Sequence, residues 1–316
     1  MIIVRFTSGL GNQMFQYNLY NYLYHKFPNV EVKADITWFD QFSEHQGFEL
    51  ERIFKREDNP DFVFKVASGM DIFKCSGQFH SSPGCKNPGL VNEILRYPNR
   101  LIRLFNLHKK NRVRIEQSGF EDNAVVYEQI DKINPSLNYY ITGFFIEEIY
   151  YKNRIEKLGK FFDFGDDLSD NNLNYVNQIK NSQSVSIHVR RGDYLSDTYK
   201  DSFLSLPMEY YEKAVKLVKE KFDNPVFYIF SDDKDYMSKA FSWLDNKVFI
   251  EGNNGKNSFR DLQLMSECVV NITANSTFST WAGLLNKNEN KLVIYPAMYM
   301  RQKESEIKTI EGFVRI

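Results

Sequence analysis

Apolar residues in the second half of the chain fall into short runs separated by helical stripes. The runs predict strands at residues 185–189, 226–230, 247–250, 269–272 and 292–295. Between them Tyr211, Ala214, Val215, Val218 and Phe222 share one helix face, opened by Pro207 near a first turn, and Phe278, Trp281, Ala282 and Leu285 share another. Ser258-Phe259-Arg260-Asp261 has the form of a capping box. Short apolar strands alternating with helices of about 10–15 residues predict a parallel sheet covered on both faces. The first half opens in the same way. A strand over residues 2–6 leads to a helix over 13–27, with Phe15, Leu19, Tyr22, Leu23 and Phe27 inward, and then to a strand over 30–35. Residues 41–123 carry no clear period. A strand over 138–144 and a helix over 147–160 follow, and the polar stretch 163–174 reads as the boundary between domains. The expected fold class is α/β: two Rossmann-like lobes, residues 1–165 and 166–316, with a central cleft.

Composition narrows the chemistry. With 316 residues and 42% hydrophobic content the chain can bury two real cores, and 16% aromatic content points to rings within them. A formal net charge of -1 predicts no bulk attraction to nucleic acid. The opening Met1-Ile2-Ile3-Val4-Arg5-Phe6 is too short and too charged for a secretory signal, and no uncharged run approaches the roughly 18 residues of a membrane span. Cys75, Cys85 and Cys268 are odd in number and suggest no disulfide framework; with His80 they still lack a fourth zinc ligand. A reducing, cytoplasmic setting is expected, where the sequons at Asn271 and Asn275 have no meaning. Residues 96–114 carry seven basic side chains interleaved with Leu101, Ile102, Leu104 and Phe105. This pattern fits a solvated helix face, or peripheral contact with an anionic membrane surface.

Ser186-Ile187-His188-Val189-Arg190-Arg191-Gly192-Asp193-Tyr194 carries the densest chemistry. A strand with alternating Val185, Ile187 and Val189 runs into two arginines, a glycine and an aspartate. In open α/β sheets ligands bind at the carboxyl ends of strands. Adjacent guanidinium groups there suit a multiply charged oxyanion, because arginine holds phosphate bidentately. An Arg–Asp ion pair closing a turn is the competing reading. Ser8-Gly9-Leu10-Gly11-Asn12-Gln13-Met14 joins the first strand to the first helix, and its glycines permit a tight turn and close approach of a ligand. It imitates a dinucleotide fingerprint, with Asp35 at a suitable distance for a ribose. Met14, however, fills the place where a third glycine gives close helix–strand contact. Gly252-Asn253-Asn254-Gly255-Lys256-Asn257-Ser258 fails the spacing of a P-loop. Asp233-Lys234-Asp235 has the Asp-x-Asp form of some metal-dependent transferases, and equally the form of a polar helix start. No G-x-S-x-G nucleophile elbow occurs.

Five strings stand in order: Gly9-Leu10-Gly11-Asn12-Gln13-Met14-Phe15-Gln16-Tyr17, His188 to Tyr194, Phe230-Ser231-Asp232-Asp233, Asp261-Leu262-Gln263-Leu264-Met265-Ser266, and Ala274-Asn275-Ser276-Thr277-Phe278-Ser279. Together they resemble the bacterial α-1,2-fucosyltransferases of glycosyltransferase family 11. Ser8 stands where that family usually has glycine, and Thr280-Trp281 where it generally has two tryptophans; both changes touch loop and cleft packing, and so bear on acceptor choice. The resemblance implies a GT-B fold, with residues 297–316 returning to brace the first lobe. It implies a GDP-sugar held mainly by the C-terminal lobe, with no cofactor and no metal. His188 and Arg190 are then expected at the diphosphate, with Arg191 assisting, and Asp261 near the guanine. Asn275, Ser276, Thr277 and Phe278 would offer amides and hydroxyls to phosphate. Ser231 and Asp232 would touch the nucleoside or start a helix, and Gly9, Gly11, Asn12 and Gln13 would reach across from the N-terminal lobe.

The implied reaction is inverting transfer of L-fucose from GDP-β-L-fucose to the 2-hydroxyl of a terminal β-galactoside, in bacterial surface-polysaccharide synthesis. Arg190 would meet the charge growing on the β-phosphate. Asp193, the nearest carboxylate in sequence, is open to two roles, general base or partner of a neighbouring arginine. The alternatives are a transferase using another GDP-sugar, an NAD-binding oxidoreductase and a non-catalytic carbohydrate-binding protein.

Overall fold

Ile2, Ile3 and Val4 are fully buried, and this run forms the first strand of a parallel sheet in the computed structural model of the protein. The structure describes residues 1–42, 45–81, 83–104, 111–117, 123–195, 197, 200–301 and 307–316. The chain divides into two units, Met1–Asp163 and Phe164–Ile316, each with its own sheet.

The first unit contains β1 (Ile2–Arg5), α1 (Leu10–Lys26), β2 (Val32–Asp35), α2 (Trp38–Gln41), α3 (Leu50–Phe54), α4 (Gly69–Ser76), α5 (Pro88–Leu104), β3 (Arg112–Glu116), α6 (Asn123–Asp131), β4 (Asn138–Thr142) and α7 (Ile155–Phe161). Its strands pair in the order β2-β1-β4-β3, all parallel. α1 is buried on most of its circumference, including Gln13, Gln16 and Asn18. Buried amides need partners. Gln16 Nε2 donates to Gly143 O at 3.0 Å, and Asn18 Nδ2 donates to Tyr150 O at 2.9 Å. Rings fill much of the remaining interior. Tyr17 stacks on Phe62 with centroids 4.6 Å apart, and Phe6 meets Phe48 and Phe64 edge-on. The helix expected over 147–160 is corrected: two 3₁₀ turns, Glu148–Tyr150 and Lys152–Arg154, precede α7. The ladder is tightened there, since Asn18 takes the Tyr150 carbonyl and Arg154 N bonds Tyr151 O, three residues back, at 2.8 Å.

The second unit contains α8 (Asp170–Lys180), β5 (Ser184–Val189), α9 (Met208–Lys219), β6 (Val226–Ser231), α10 (Lys234–Ala240), β7 (Lys247–Phe249), α11 (Phe259–Glu267), β8 (Val270–Ile272), α12 (Thr277–Leu285), β9 (Leu292–Tyr295) and β10 (Phe313–Arg315). The sheet order is β10-β9-β8-β5-β6-β7, again all parallel. Every residue of β5 is buried. Val185, Ile187 and Val189 pack in one core with Tyr211, Ala214, Val215 and Val218 of α9. Ser184, Ser186 and His188 take the other face, because side chains alternate along a strand. A neutral polar chain is buried on that face. Asn271 Nδ2 donates to Ser186 Oγ at 2.8 Å and to Met265 O at 2.7 Å, and Asn286 Nδ2 donates to Asn271 Oδ1 at 2.8 Å.

In the C-terminal segment Phe313–Arg315 lies parallel to β9 at the edge of the second sheet. One further expectation is corrected here. The capping box at Ser258 does not form, since the Ser258 side chain makes no cap and the Asp261 carboxylate accepts from Asn253 Nδ2 at 2.8 Å. A capping box does form at Ser68 and Asp71, opening α4.

Candidate active site

The second sheet turns back on itself at β5. From β5 the chain moves outward through β6 and β7, and β8, β9 and β10 are laid down on the other side. Loops leaving β5 and β8 therefore diverge, opening the crevice in which doubly wound sheets hold their ligands. His188, Arg190, Arg191, Gly192 and Tyr194 leave the end of β5. Thr273, Asn275, Ser276, Thr277 and Phe278 follow β8, and Ser231, Asp232 and Asp233 follow β6.

Several contacts tie these loops together. The His188 and Phe278 rings lie 5.8 Å apart between centroids, and Tyr194 OH donates to Asn275 O at 2.9 Å. Asp232 Oδ1 accepts the amides of Arg191 and Gly192, each at 3.1 Å. Its other oxygen lies 3.6 Å from Arg190 Nη1, too long for a charge-assisted hydrogen bond, so Coulomb attraction alone holds that pair. Arg191 Nε donates to Asp233 Oδ2 at 3.2 Å, and its guanidinium lies 3.8 Å from the centre of the Tyr236 ring. Asp233 also caps α10 through Tyr236 N. Ion-pair closure of the turn is thus present, and it fixes the two arginines at the strand end. Each of the four charged side chains is roughly a quarter to a third exposed.

Buried polar atoms without partners mark this crevice. Among the described residues, His188 Nδ1, Thr273 Oγ1 and Asn275 Oδ1 are buried and have no hydrogen-bond partner. Native structures rarely leave such atoms unmade, and a missing ligand is one recognised cause. Asn275 is held rigidly by its amide, which donates to Leu204 O and Tyr299 O, both at 2.7 Å. Ser276 precedes α12 without a side-chain cap. The first-turn amides of a helix have no partner inside it, and they face anions favourably. Burial, helped by the charge on Arg190, pushes the His188 imidazole down to about 3, so it is neutral in ordinary buffers.

The other sequence candidates are placed as follows. Asp261 sits in the first turn of α11, bonded to Asn253, which also pairs with Asn172. Asp193 begins the 3₁₀ turn Asp193–Leu195, and its side chain is outside the described residues. Gly9, Gly11, Asn12 and Gln13 belong to the first unit, at the end of β1. Ser8 there has φ 67°, a left-handed conformation that glycine adopts more easily. Gln13 is fully buried, and all its amide contacts are internal: Ser8 O at 2.8 Å, Gly47 O at 2.9 Å and Glu49 N at 2.9 Å. Asn12 Nδ2 donates to Ser8 Oγ at 2.9 Å. Asp35, the carboxylate at ribose distance in a dinucleotide reading, is buried and already accepts from Thr37 N, Thr37 Oγ1 and Tyr140 OH. Sequence reasoning did not single out Tyr194, Tyr236 or Thr273. Tyr194 directly follows the Arg-Arg-Gly-Asp string, and that adjacency was the available signal.

The model of Glycosyl transferase family 11 matches residues 91–313, a span that includes every element of this crevice. An Escherichia coli protein named alpha-1,2-colitosyltransferase is 30% identical over 312 residues, covering 96% of this chain and 94% of its own. The Escherichia coli O-antigen biosynthesis glycosyltransferase WbnK is 26% identical, with 98% of each chain covered. Among solved structures the chain is similar to the fucosyltransferase NodZ from Bradyrhizobium, at 14% identity and a TM-score of 0.48, with 90% of this chain and 92% of that one covered. The family match across most of the chain, together with a relative of 30% identity along nearly its whole length, makes this protein a glycosyltransferase of family 11.

Proposed function

We propose that the protein transfers L-fucose from GDP-β-L-fucose to the 2-hydroxyl of a terminal β-galactoside, with inversion at the anomeric carbon. The observation that carries this reading is the set of partnerless buried polar atoms beside two arginines and an uncapped helix start. That arrangement suits a diphosphate. As the sugar becomes oxocarbenium-like, negative charge grows on the β-phosphate, and Arg190 and the first amides of α12 stabilise it. Neutral His188 can donate a hydrogen bond to a phosphate oxygen without the cost of burying a further charge. Asp232 holds the start of the arginine loop through two amides and keeps Arg190 near the strand end. The positive potential comes from side chains and a helix start, the role a divalent ion has in Asp-x-Asp transferases.

A second donor is favoured by the relative named as a colitosyltransferase. Colitose lacks one ring hydroxyl of fucose, so donor choice turns on groups that hydrogen-bond this hydroxyl. A site built to bond a hydroxyl rejects the deoxy analogue by about 10⁴-fold or more. The experiment is GDP release by the purified protein with GDP-fucose, GDP-colitose and GDP-mannose, using lactose as acceptor. Fucosylated lactose as the dominant product supports the proposal. Turnover with GDP-colitose alone replaces the donor, and binding of glycans without GDP release from any donor refutes transfer.

A further inference from the structure

We propose that α5 is a membrane-interface helix that seats this protein on an anionic lipid surface. Leu90, Ile94, Tyr97, Leu101 and Leu104 are 59%, 62%, 77%, 56% and 67% exposed. Their spacing alternates between four and three residues, which puts all five within an arc of about 80° on an α-helix. The polar side chains that should face water are turned the other way. Asn99 Oδ1 accepts Phe79 N at 2.7 Å while its amide donates to Phe79 O at 2.9 Å, and Asn92 Oδ1 accepts Ser81 N at 2.9 Å. Val91, Leu95, Pro98 and Ile102 are half-buried on that inner side. The helix is therefore fastened by its asparagines and offers its main apolar stripe outward.

Charge identifies what covers the stripe. Arg96, Arg100 and Arg103 are exposed along one flank, accompanied by a single acid, Glu93. Among the described residues none of the three arginines makes an ion pair. Basic side chains beside an apolar face with a tyrosine is the pattern of helices that lie in the headgroup region, arginines on anionic lipid and apolar residues at the acyl boundary. A second copy fits less well, since antiparallel pairing through the same stripe sets the two arginine rows side by side. No helix among the described residues is long and apolar enough to cross a membrane, so the contact is peripheral. Each arginine near an anionic surface contributes about fivefold in partitioning, and three together on the order of 100-fold.

The test is flotation of the full chain with vesicles of phosphatidylcholine alone, or containing about 30% phosphatidylglycerol, at low salt and at about 0.5 M salt. The protein should float with anionic vesicles about 100-fold more strongly than with neutral ones and be released by salt. Ile94→Asp with Leu101→Asp should abolish flotation, and Arg96→Gln with Arg100→Gln and Arg103→Gln should abolish the anionic preference. Both variants should keep wild-type turnover on a soluble acceptor, because these side chains stand outside the donor crevice. The proposal is overturned if the wild type stays with neither vesicle. It is overturned equally if the double aspartate variant still floats, or if that variant only converts a dimer into a monomer.

Discussion

Arg190→Ala should separate catalysis from stability, because the proposed role and the observed ion pair carry very different magnitudes. Its partner Asp232 lies 3.6 Å away, and the two side chains are 26% and 30% exposed. Such a pair contributes about 0.2–1 kcal/mol to folding. Asp232 also keeps its two amide partners when the guanidinium is gone, so its own carboxylate is not stranded. Loss of that pair lowers the melting temperature by about 2–4 °C or less in a domain of 150 residues or more. The catalytic loss is larger. A donor aimed at developing charge is worth about 2.7–4 kcal/mol, or roughly 100- to 1,000-fold in kcat. Arg190→Lys should recover only part of this, since lysine keeps the charge but lacks the planar fork. The assay is GDP release at saturating donor and acceptor, with KM for GDP-fucose and a thermal melt on each variant. A kcat for Arg190→Ala within about threefold of wild type would refute the transition-state role, because a factor that small is far below one oxyanion donor.

Gly192→Ala should lower kcat, by less than the roughly 100-fold that a misplacement of about 1 Å can cost. Its new Cβ would lie 3.1 Å from Asp232 Oδ2 and 3.2 Å from Cγ, forcing aside the carboxylate that holds the loop; unchanged turnover would show that Asp232 positions nothing. His188 titrates at 6.5 in an unfolded chain and at about 3 in the fold, so between these values the unfolded chain binds the extra proton. Stability should therefore fall as pH is lowered through that window and recover above it, and His188→Gln should flatten the dependence in urea melts at pH 5 and 7. Parallel pH profiles for the two proteins would contradict the burial of a neutral imidazole. Activity should survive EDTA, with at most modest stimulation by Mg²⁺ or Mn²⁺. Complete loss, restored by one of those ions, would make Asp233 and Asp235 the first suspects.

The second unit was the more legible half, because strands buried on both faces leave continuous apolar runs. All of its strands except β10 are visible as such. β10 is three residues long, half-exposed and at an edge, and so carries little pattern. In the first unit β3 reads Arg-Val-Arg-Ile-Glu, and its charges merge with the basic stretch around it. α1 is buried on so much of its surface that periodicity says little about its inward face. Ser-x-x-Asp occurs at both 68–71 and 258–261, yet it caps only the first, because Asn253 claims Asp261 in space. For the crevice, the string from His188 to Gly192 announced itself through two arginines at a strand end. What sequence cannot show is that Asp232 closes that loop, or that Thr273 and Asn275 are left with partnerless oxygens. Both depend on strands distant in the chain becoming neighbours.

The position of β5 also makes the crevice depend on strands far apart in the chain. β5 and β6 are neighbours in chain order, and the arginine loop meets Asp232 and Asp233 across only 41 and 42 positions. The strand's other neighbour arrives much later: Asn271 lies 85 positions beyond the Ser186 hydroxyl it must reach. Until then the Ser186–His188 side of β5 lacks its partner strand. Long-range parallel pairing is intrinsically slow, and an unpaired central strand is a template for misassembly. The crevice is therefore complete only once β8 and α12 are in place beside β5. A chain cut before β8 should retain the arginines and lose the crevice they serve.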